Sequence, residues 1–240
     1  MRKQILITND DGISADGIRK LAEIARGLGD VTVVAPDEQR SAASHHCIFS
    51  RPLTLKEYDF GLDGVRAYTL DGTPADCVRF GIFTAMDRRP DVVLSGINHG
   101  YNISSDVQYS GTVGAVLEAA FQGVHAIAVS YGNHRFVATD IVDRYLPELL
   151  EEYMAKPLPA SQVWNINFPD CPADECPGIM RNVAMYTGHF YNDRYQKEKT
   201  GEKTWTVSNV VQRSWEGPEN SDLNAVINKY IAVGTVTNLT

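Results

Sequence analysis

Two short, unbroken apolar runs bracket one amphipathic stretch near the start of the chain. This constrains the fold more than any other feature. Residues 4–8 and 31–35 are the runs, the second closed by Pro36. Between them, Ile18, Leu21, Ala22, Ala25 and Leu28 recur at helical spacing, which predicts a helix over 15–28. Ser14 is the candidate N-cap and Gly29 the candidate stop. A strand that is apolar at every position is covered on both faces. The unit therefore reads as βαβ in a parallel sheet flanked by helices.

The pattern continues along the chain. Residues 53–55, 65–70, 91–95, 125–130 and 163–167 are predicted strands. Thr73-Pro74 opens a predicted helix that ends before Pro90, with proline at a tolerated first-turn position. Residues 112–121 and 141–154 are further predicted helices, and Pro147 is expected to break or bend the second. Residues 96–111, rich in Gly, Asn and Ser, read as a loop. Past residue 169 the texture changes. Strands are predicted at 183–186, 204–211 and 230–237, and the polar link 192–203 reads as a surface arm. Residues 1–170 thus form an α/β core and 171–240 a β-rich C-terminal extension, expected to complete the core and supply an oligomer interface.

Charge narrows the partners. Acidic residues number 30 and basic ones 22, a formal net charge of −8. Such a surface repels a phosphate backbone, so no nucleic-acid polymer is expected as partner. A small phosphorylated ligand stays open, because one bound cation reverses the local field. No run of about 18 apolar residues occurs, so no membrane helix is expected. The apolar N-terminal run is cut short by two acids, unlike a signal peptide. Cys47, Cys77, Cys171 and Cys176 are too few for a disulfide framework at this length, so reduced thiols in the cytoplasm are expected.

In open α/β sheets, ligands bind beyond the carboxyl ends of the strands. Asn9-Asp10-Asp11-Gly12 follows the first strand, Ser41 lies in the loop after the second, and Asn98 and Asn102 follow residues 91–95. Adjacent carboxylates repel unless a proton or cation neutralises them, and an all-oxygen set suits Mg²⁺, Mn²⁺ or Ca²⁺. Asp-Asp-Gly before a helix is also ordinary turn chemistry. Both readings stand on the residues alone. His45-His46 is open in the same way, as metal ligands or as solvated loop residues. Ser41 lacks the Gly-x-Ser-x-Gly of a hydrolase elbow. Tyr109-Ser110-Gly111-Thr112-Val113-Gly114 opens a helix, where free amides and two hydroxyls make either an anion cradle or a plain N-cap. With no Walker lysine and no Gly-x-Gly-x-x-Gly, nucleoside triphosphate and dinucleotide chemistry are disfavoured.

Taken together, these stretches resemble SurE, the stationary-phase survival proteins, a family of metal-dependent nucleotide phosphatases. The resemblance rests on Thr8-Asn9-Asp10-Asp11-Gly12, Ala35-Pro36-Asp37 through Ser41, Ser44-His45 and Arg51-Pro52-Leu53. It extends through Gly72-Thr73-Pro74-Ala75-Asp76-Cys77-Val78, Ser95-Gly96-Ile97-Asn98 and Tyr109-Ser110-Gly111-Thr112-Val113-Gly114-Ala115. It implies a Rossmann-like, mostly parallel sheet flanked by helices, with a C-terminal β-arm exchanged between subunits of a homodimer or homotetramer. It implies one divalent ion per subunit, Mg²⁺ or Mn²⁺ with Ca²⁺ as a substitute, held by Asp10, Asp11, Ser41 and Asn98. Asp10 and Asp11 are the implied catalytic residues. Ser110, Gly111 and Thr112 would hold the phosphate, with further substrate contacts from Asn9, Ser41 and Asn98. The implied activity is hydrolysis of nucleoside 5′- and 3′-monophosphates, with short-chain polyphosphate as a second substrate. Two departures stand out. Members usually carry glycine after the serine, where this chain has Ala42, and His46-Cys47-Ile48-Phe49 replaces a Ser/Thr-rich continuation. They motivate the alternative of a non-catalytic protein that binds a nucleotide or phosphometabolite.

Overall fold

The computed structural model describes residues 2–132 and 139–238. The chain begins β1 (Lys3–Thr8), α1 (Asp16–Ala25) and β2 (Gly29–Pro36). β3 (Leu55–Glu57), β4 (Arg66–Leu70) and α2 (Pro74–Phe80) follow. The chain then passes through a π turn at Gly81–Ala85 into β5 (Val92–His99) and a 3-10 turn at Ser104–Tyr109. α3 (Gly111–Phe121), β6 (His125–Tyr131), α4 (Asp140–Met154) and β7 (Gln162–Phe168) come next. The C-terminal part holds β8 (Ile179–Val183), β9 (Tyr191–Asn192), β10 (Tyr195–Lys199), β11 (Trp205–Asn209), β12 (Gln212–Arg213), α5 (Asp222–Ile227) and β13 (Ile231–Thr237).

Nine strands form one sheet in the order β3-β4-β2-β1-β5-β6-β7-β13-β8. The run from β4 to β7 is parallel throughout. β3 pairs antiparallel with β4, and β13 lies antiparallel to β7 and parallel to β8. The alternation of side chains along β1 assigns its two faces. Ile5 and Ile7 pack with Ile18 and Leu21 of α1 and Leu146 of α4. Leu6 packs with Val78 of α2 and Val113 and Val116 of α3 on the other face. This is the expected α/β architecture. The C-terminal segment supplies β13 to the interior of the sheet and also carries a separate hairpin, β10–β11.

Several local expectations are corrected. Gly29 is the first residue of β2, paired with Lys3, and α1 ends at Ala25 with Arg26 as its C-cap. Ser14 does not cap α1. Ala15 takes the N-cap position, with no side-chain hydrogen bond. β5 runs on to His99, through residues that read as loop, because Asn98 and His99 stay in register with Ser130 and Tyr131 of β6. α4 continues through Pro147 as one helix of 15 residues. The strand expected at 183–186 is shifted to Ile179–Val183, where it pairs with β13. The arm at 192–203 contains β10, and residues 222–227 form α5, capped by Ser221.

Candidate active site at the carboxyl ends of the central strands

The order of β2, β1 and β5 places the first crossover reversal between β1 and β5. Ligands gather at such a switch point. Asp10 and Asp11 follow β1, Ser41 lies in the loop after β2, and Asn98 is near the end of β5. All four line one pocket of about 330 Å³, together with Ser110 at the N-cap of α3. Residues far apart in sequence therefore meet, as the resemblance implies.

Backbone and side-chain bonds fix the two aspartates. The Asp10 carbonyl accepts from the Arg40 amide at 2.7 Å, tying the loop after β2 to the loop after β1. The Thr112 hydroxyl donates to Asp10 Oδ1 at 2.6 Å, and the Thr112 amide donates to the same carboxylate. Asp10 is nearly inaccessible to solvent. Burial, reinforced by repulsion from Asp11, raises its pKa to about 6 despite the bonds from Thr112. Asp11 Oδ2 accepts from the His99 amide at 3.1 Å, and its Oδ1 from the Gln39 side chain at 3.4 Å. Gly111 has to be glycine here. A Cβ on it would lie 2.9 Å from Asp10 Cβ and 3.0 Å from Asp10 Oδ2.

The remaining expected residues divide. Asn98 Nδ2 donates to the Gly100 carbonyl at 2.9 Å, which leaves its amide oxygen for a ligand. Ser110 Oγ accepts from the Val113 amide at 3.1 Å. Ala42 adopts φ 59°, a left-handed conformation that glycine takes without strain and that alanine rarely adopts. Asn9, Gly111 and Thr112 are buried and do not line the pocket. Asn9 Nδ2 donates to the Gly12 carbonyl at 2.9 Å, while its Oδ1 is buried without a partner among the described residues. Thr112 faces Asp10, so the first turn of α3 serves the carboxylate directly. His45 is drawn to α3, where Nε2 lies 2.8 Å from Glu118 Oε2, and it lines a different cavity. Asn102 lines the pocket and is anchored by its amide to Asn167 Oδ1 at 2.9 Å.

Sequence reasoning missed part of the wall: Gln39, Tyr101, Asp106, Tyr109, Tyr191 and Asp193. Tyr191 and Asp193 come from β9 and the residue after it, 80 or more positions beyond Ser110. Asp106 fastens that segment to the pocket, with Oδ2 accepting from the Phe190 amide at 2.7 Å and the Tyr191 amide at 3.0 Å.

The donor set suits a hard divalent cation. It offers two carboxylates, a hydroxyl and an amide oxygen, with no sulfur among the pocket residues. Among the described residues no group of three or more His, Cys, Asp or Glu is arranged to hold a metal, which separates this set from a structural zinc site. The burial and mutual repulsion that raise Asp10 are what a doubly charged ion at Asp10 and Asp11 would relieve.

The family model for survival protein SurE matches residues 5–192. The chain is 36% identical to the 5′-nucleotidase SurE of Thermosipho melanesiensis, over 97% of this chain and 91% of that protein. It is 38% identical to the 5′-nucleotidase SurE of Carboxydothermus hydrogenoformans, over 97% and 89%. The crystal structure of the SurE protein from Aquifex aeolicus superposes with a TM-score of 0.84 at 30% identity, covering 99% of this chain and 94% of that one. With its two aspartates, serine and asparagine gathered where β1, β2 and β5 end, this chain belongs to the SurE family of survival proteins.

Proposed function

We propose that the pocket hydrolyses nucleoside 5′- and 3′-monophosphates to nucleoside and phosphate. A divalent cation, Mg²⁺ or Mn²⁺ in preference to Ca²⁺, is held by Asp10, Asp11, Ser41 and Asn98. One observation carries this reading. The pocket is lined by Asp10, Asp11, Asp106 and Asp193, with no lysine or arginine among its residues, yet it opens beside the N-cap of α3. A phosphate dianion meets strong repulsion there unless a cation neutralises the two adjacent aspartates. The relatives named 5′-nucleotidase supply the substrate class.

When bound, the ion supplies Lewis-acid polarisation of the phosphoryl group. The chain's own residues do the rest. Thr112 holds the Asp10 carboxylate, and the His99 amide holds Asp11, so neither has to reorganise during turnover. One of the two carboxylates orients the attacking water and takes its proton. Ser110, at the start of α3, faces the site where phosphate oxygens carry charge.

Phosphate release from 5′- and 3′-AMP, with and without Mn²⁺ or Mg²⁺, tests this reading. Asp10→Asn is expected to lower turnover about 100-fold or more while circular dichroism shows the fold intact. Full turnover by the folded variant, or tight nucleotide binding without turnover under every metal, overturns the reading.

The β10–β11 hairpin supports a homodimer or homotetramer built through the C-terminal arm. Among the described residues its strands pair only with each other, and Tyr195, Trp205 and Val207 are exposed by 69%, 44% and 60%. A lone two-stranded hairpin is marginal in water, so a second copy covering it fits these exposed side chains. Light scattering on a variant lacking residues 195–209 tests it, and an unchanged mass refutes it. A cytoplasmic location accords with four unpaired cysteines and with the absence, among the described residues, of a helix long and apolar enough to cross a membrane.

A further inference from the structure

We propose that His45 is the positioning residue for Ser41. Its hydrogen bond to Glu118 holds the loop after β2 in the shape that turns Ser41 into the pocket. The inference rests on the reading of Ser41 as a cation ligand, and it adds a residue that touches neither ion nor substrate.

The hydrolytic scheme leaves both His45 and the buried Glu118 without a task. Glu118 Oε1 accepts from Arg79 Nη1 at 2.9 Å and from Gln122 Nε2 at 2.7 Å. Its other oxygen, Oε2, lies 2.8 Å from His45 Nε2. A carboxylate only accepts, so the imidazole donates. Three elements thus meet at one buried carboxylate: α2 through Arg79, α3 through Glu118, and the Ser41 loop through His45. The loop backbone reaches α3 one turn earlier on the same face, where a Cβ on Gly114 would lie 2.1 Å from the Ser44 carbonyl oxygen.

The shape of this loop needs an anchor. Ala42 and Ser44 both adopt left-handed backbone, with φ 59° and 53°. Each such residue disfavours the conformation roughly tenfold, so it persists only where the surroundings impose it. Packing does not impose it here. Ser41 and Ala42 are exposed, and Ser44 and His45 border a cavity of about 570 Å³ into which the loop can relax. Hydrogen bonds do the holding. The Arg40 amide is tied to the Asp10 carbonyl at 2.7 Å on one side of Ser41. On the other, Ser44 is tied to the carbonyls of Tyr109, at 3.1 Å, and Gln108, at 2.6 Å, with His45 beyond it on Glu118. Ala42 directly follows Ser41, so its return to right-handed backbone redirects Ser41 out of the pocket.

A site that forms only with the loop in place loses affinity in proportion to the fraction of loop displaced. A bond to an ionised carboxylate shifts such an equilibrium about tenfold or more, and the surviving Ser44 bonds absorb part of that. The expected loss of cation affinity is therefore about three- to tenfold.

The test titrates metal-free wild type, His45→Gln, His45→Leu and His45→Ala with Mn²⁺ by calorimetry. Amide hydrogen exchange of residues 40–44 is followed in the same proteins without metal. Circular dichroism and Tm establish that each is folded at the temperature used. His45→Leu and His45→Ala are expected to bind Mn²⁺ about three- to tenfold more weakly and to exchange the Arg40 and Ser44 amides faster by a similar factor. His45→Gln, whose Nε2 donates as the imidazole does, is expected to stay within about twofold of wild type. A lowered Tm with unchanged Mn²⁺ affinity and amide protection in His45→Ala overturns the proposal, because the role is then only structural. Wild-type behaviour of His45→Leu also overturns it, because bulk would then replace the bond. Failure of wild type itself to bind Mn²⁺ instead overturns the cation reading. Exchange at Arg40 and Ser44 then still decides whether His45 positions Ser41.

Discussion

Gly114→Ala separates local propensity from tertiary contact, because the two give opposite signs. Gly114 is the fourth residue of α3. Replacing an interior helix glycine by alanine ordinarily stabilises by about 1 kcal/mol. Here the new Cβ would lie 2.1 Å from the Ser44 carbonyl oxygen, 2.5 Å from its carbon and 2.9 Å from the His45 amide nitrogen. These are backbone atoms, so no rotamer change relieves the clash, and the loop must retreat by more than an ångström. Two bonds hold that loop to the turn before α3. The Ser44 amide donates to the Tyr109 carbonyl at 3.1 Å, and Ser44 Oγ donates to the Gln108 carbonyl at 2.6 Å. Losing both costs about 1–3 kcal/mol, and overpacking adds about 1–3 kcal/mol. After the propensity gain, a net loss of about 1–5 kcal/mol is expected, which lowers Tm by roughly 3–15 °C for a chain of this size. Thermal unfolding followed by circular dichroism reads the shift directly. Because Ser41 lies on the displaced loop, phosphatase activity is expected to fall as well. A variant with a raised Tm would refute the claim that α3 and this loop are in backbone contact.

Two further outcomes concern titration and the polar contacts around α3. Burial lowers the His125 pKa below its ordinary 6.5, and Nε2 lies 2.9 Å from the Tyr153 carbonyl. The unfolded chain therefore binds a proton first as pH falls. Stability is expected to drop below pH 6.5 and to level off once the folded pKa is passed. Urea midpoints at pH 7.5 and 5.5 check this, and His125→Gln is expected to shrink the difference. Glu118 is buried, and burial pushes its pKa up. Bonds from His45, Gln122 and Arg79, the last at 2.9 Å, outweigh burial and leave the carboxyl below its usual range. Glu118→Gln is expected to cost about 1–3 kcal/mol at pH 7. The difference from wild type should fade as pH drops through the folded pKa, which parallel denaturant titrations at pH 7 and pH 3 would show.

The buried strands were legible because their apolar runs admit few alternatives. Ile5, Leu6 and Ile7 are fully buried on the two faces of one strand. The end of β5 was not legible. Asn98 and His99 carry loop chemistry, and their pairing with Ser130 and Tyr131 of β6 keeps them in the sheet. β11 was legible within the strand expected at 204–211, but its partner β10 was not. Every residue of Tyr195–Lys199 is exposed, and its run of polar and charged residues marks no buried face. Within the site, Asp10, Asp11, Ser41, Asn98 and Ser110 could be placed because each follows or ends a recognisable strand or opens a helix. Tyr191 lies in a two-residue strand paired with Gln212–Arg213 and Asp193 directly follows it, and no local pattern announces that this segment lines the pocket. Thr112 shows the limit of motif reasoning. Its position suggested an anion cradle, but its hydroxyl serves the neighbouring aspartate.

β13 is the last strand among the described residues, yet it lies between β7 and β8 in the sheet. Until residues 231–237 are synthesised, β7 presents an open, apolar edge and β8 has no ladder to join. The nascent chain therefore carries an adhesive border from the completion of β7 at Phe168 until β13 is made. The closing step of folding is a long-range insertion rather than a local zipping of neighbours. Variants lacking residues 231–237 should consequently act as aggregation mutants, although they lose no residue that lines the pocket.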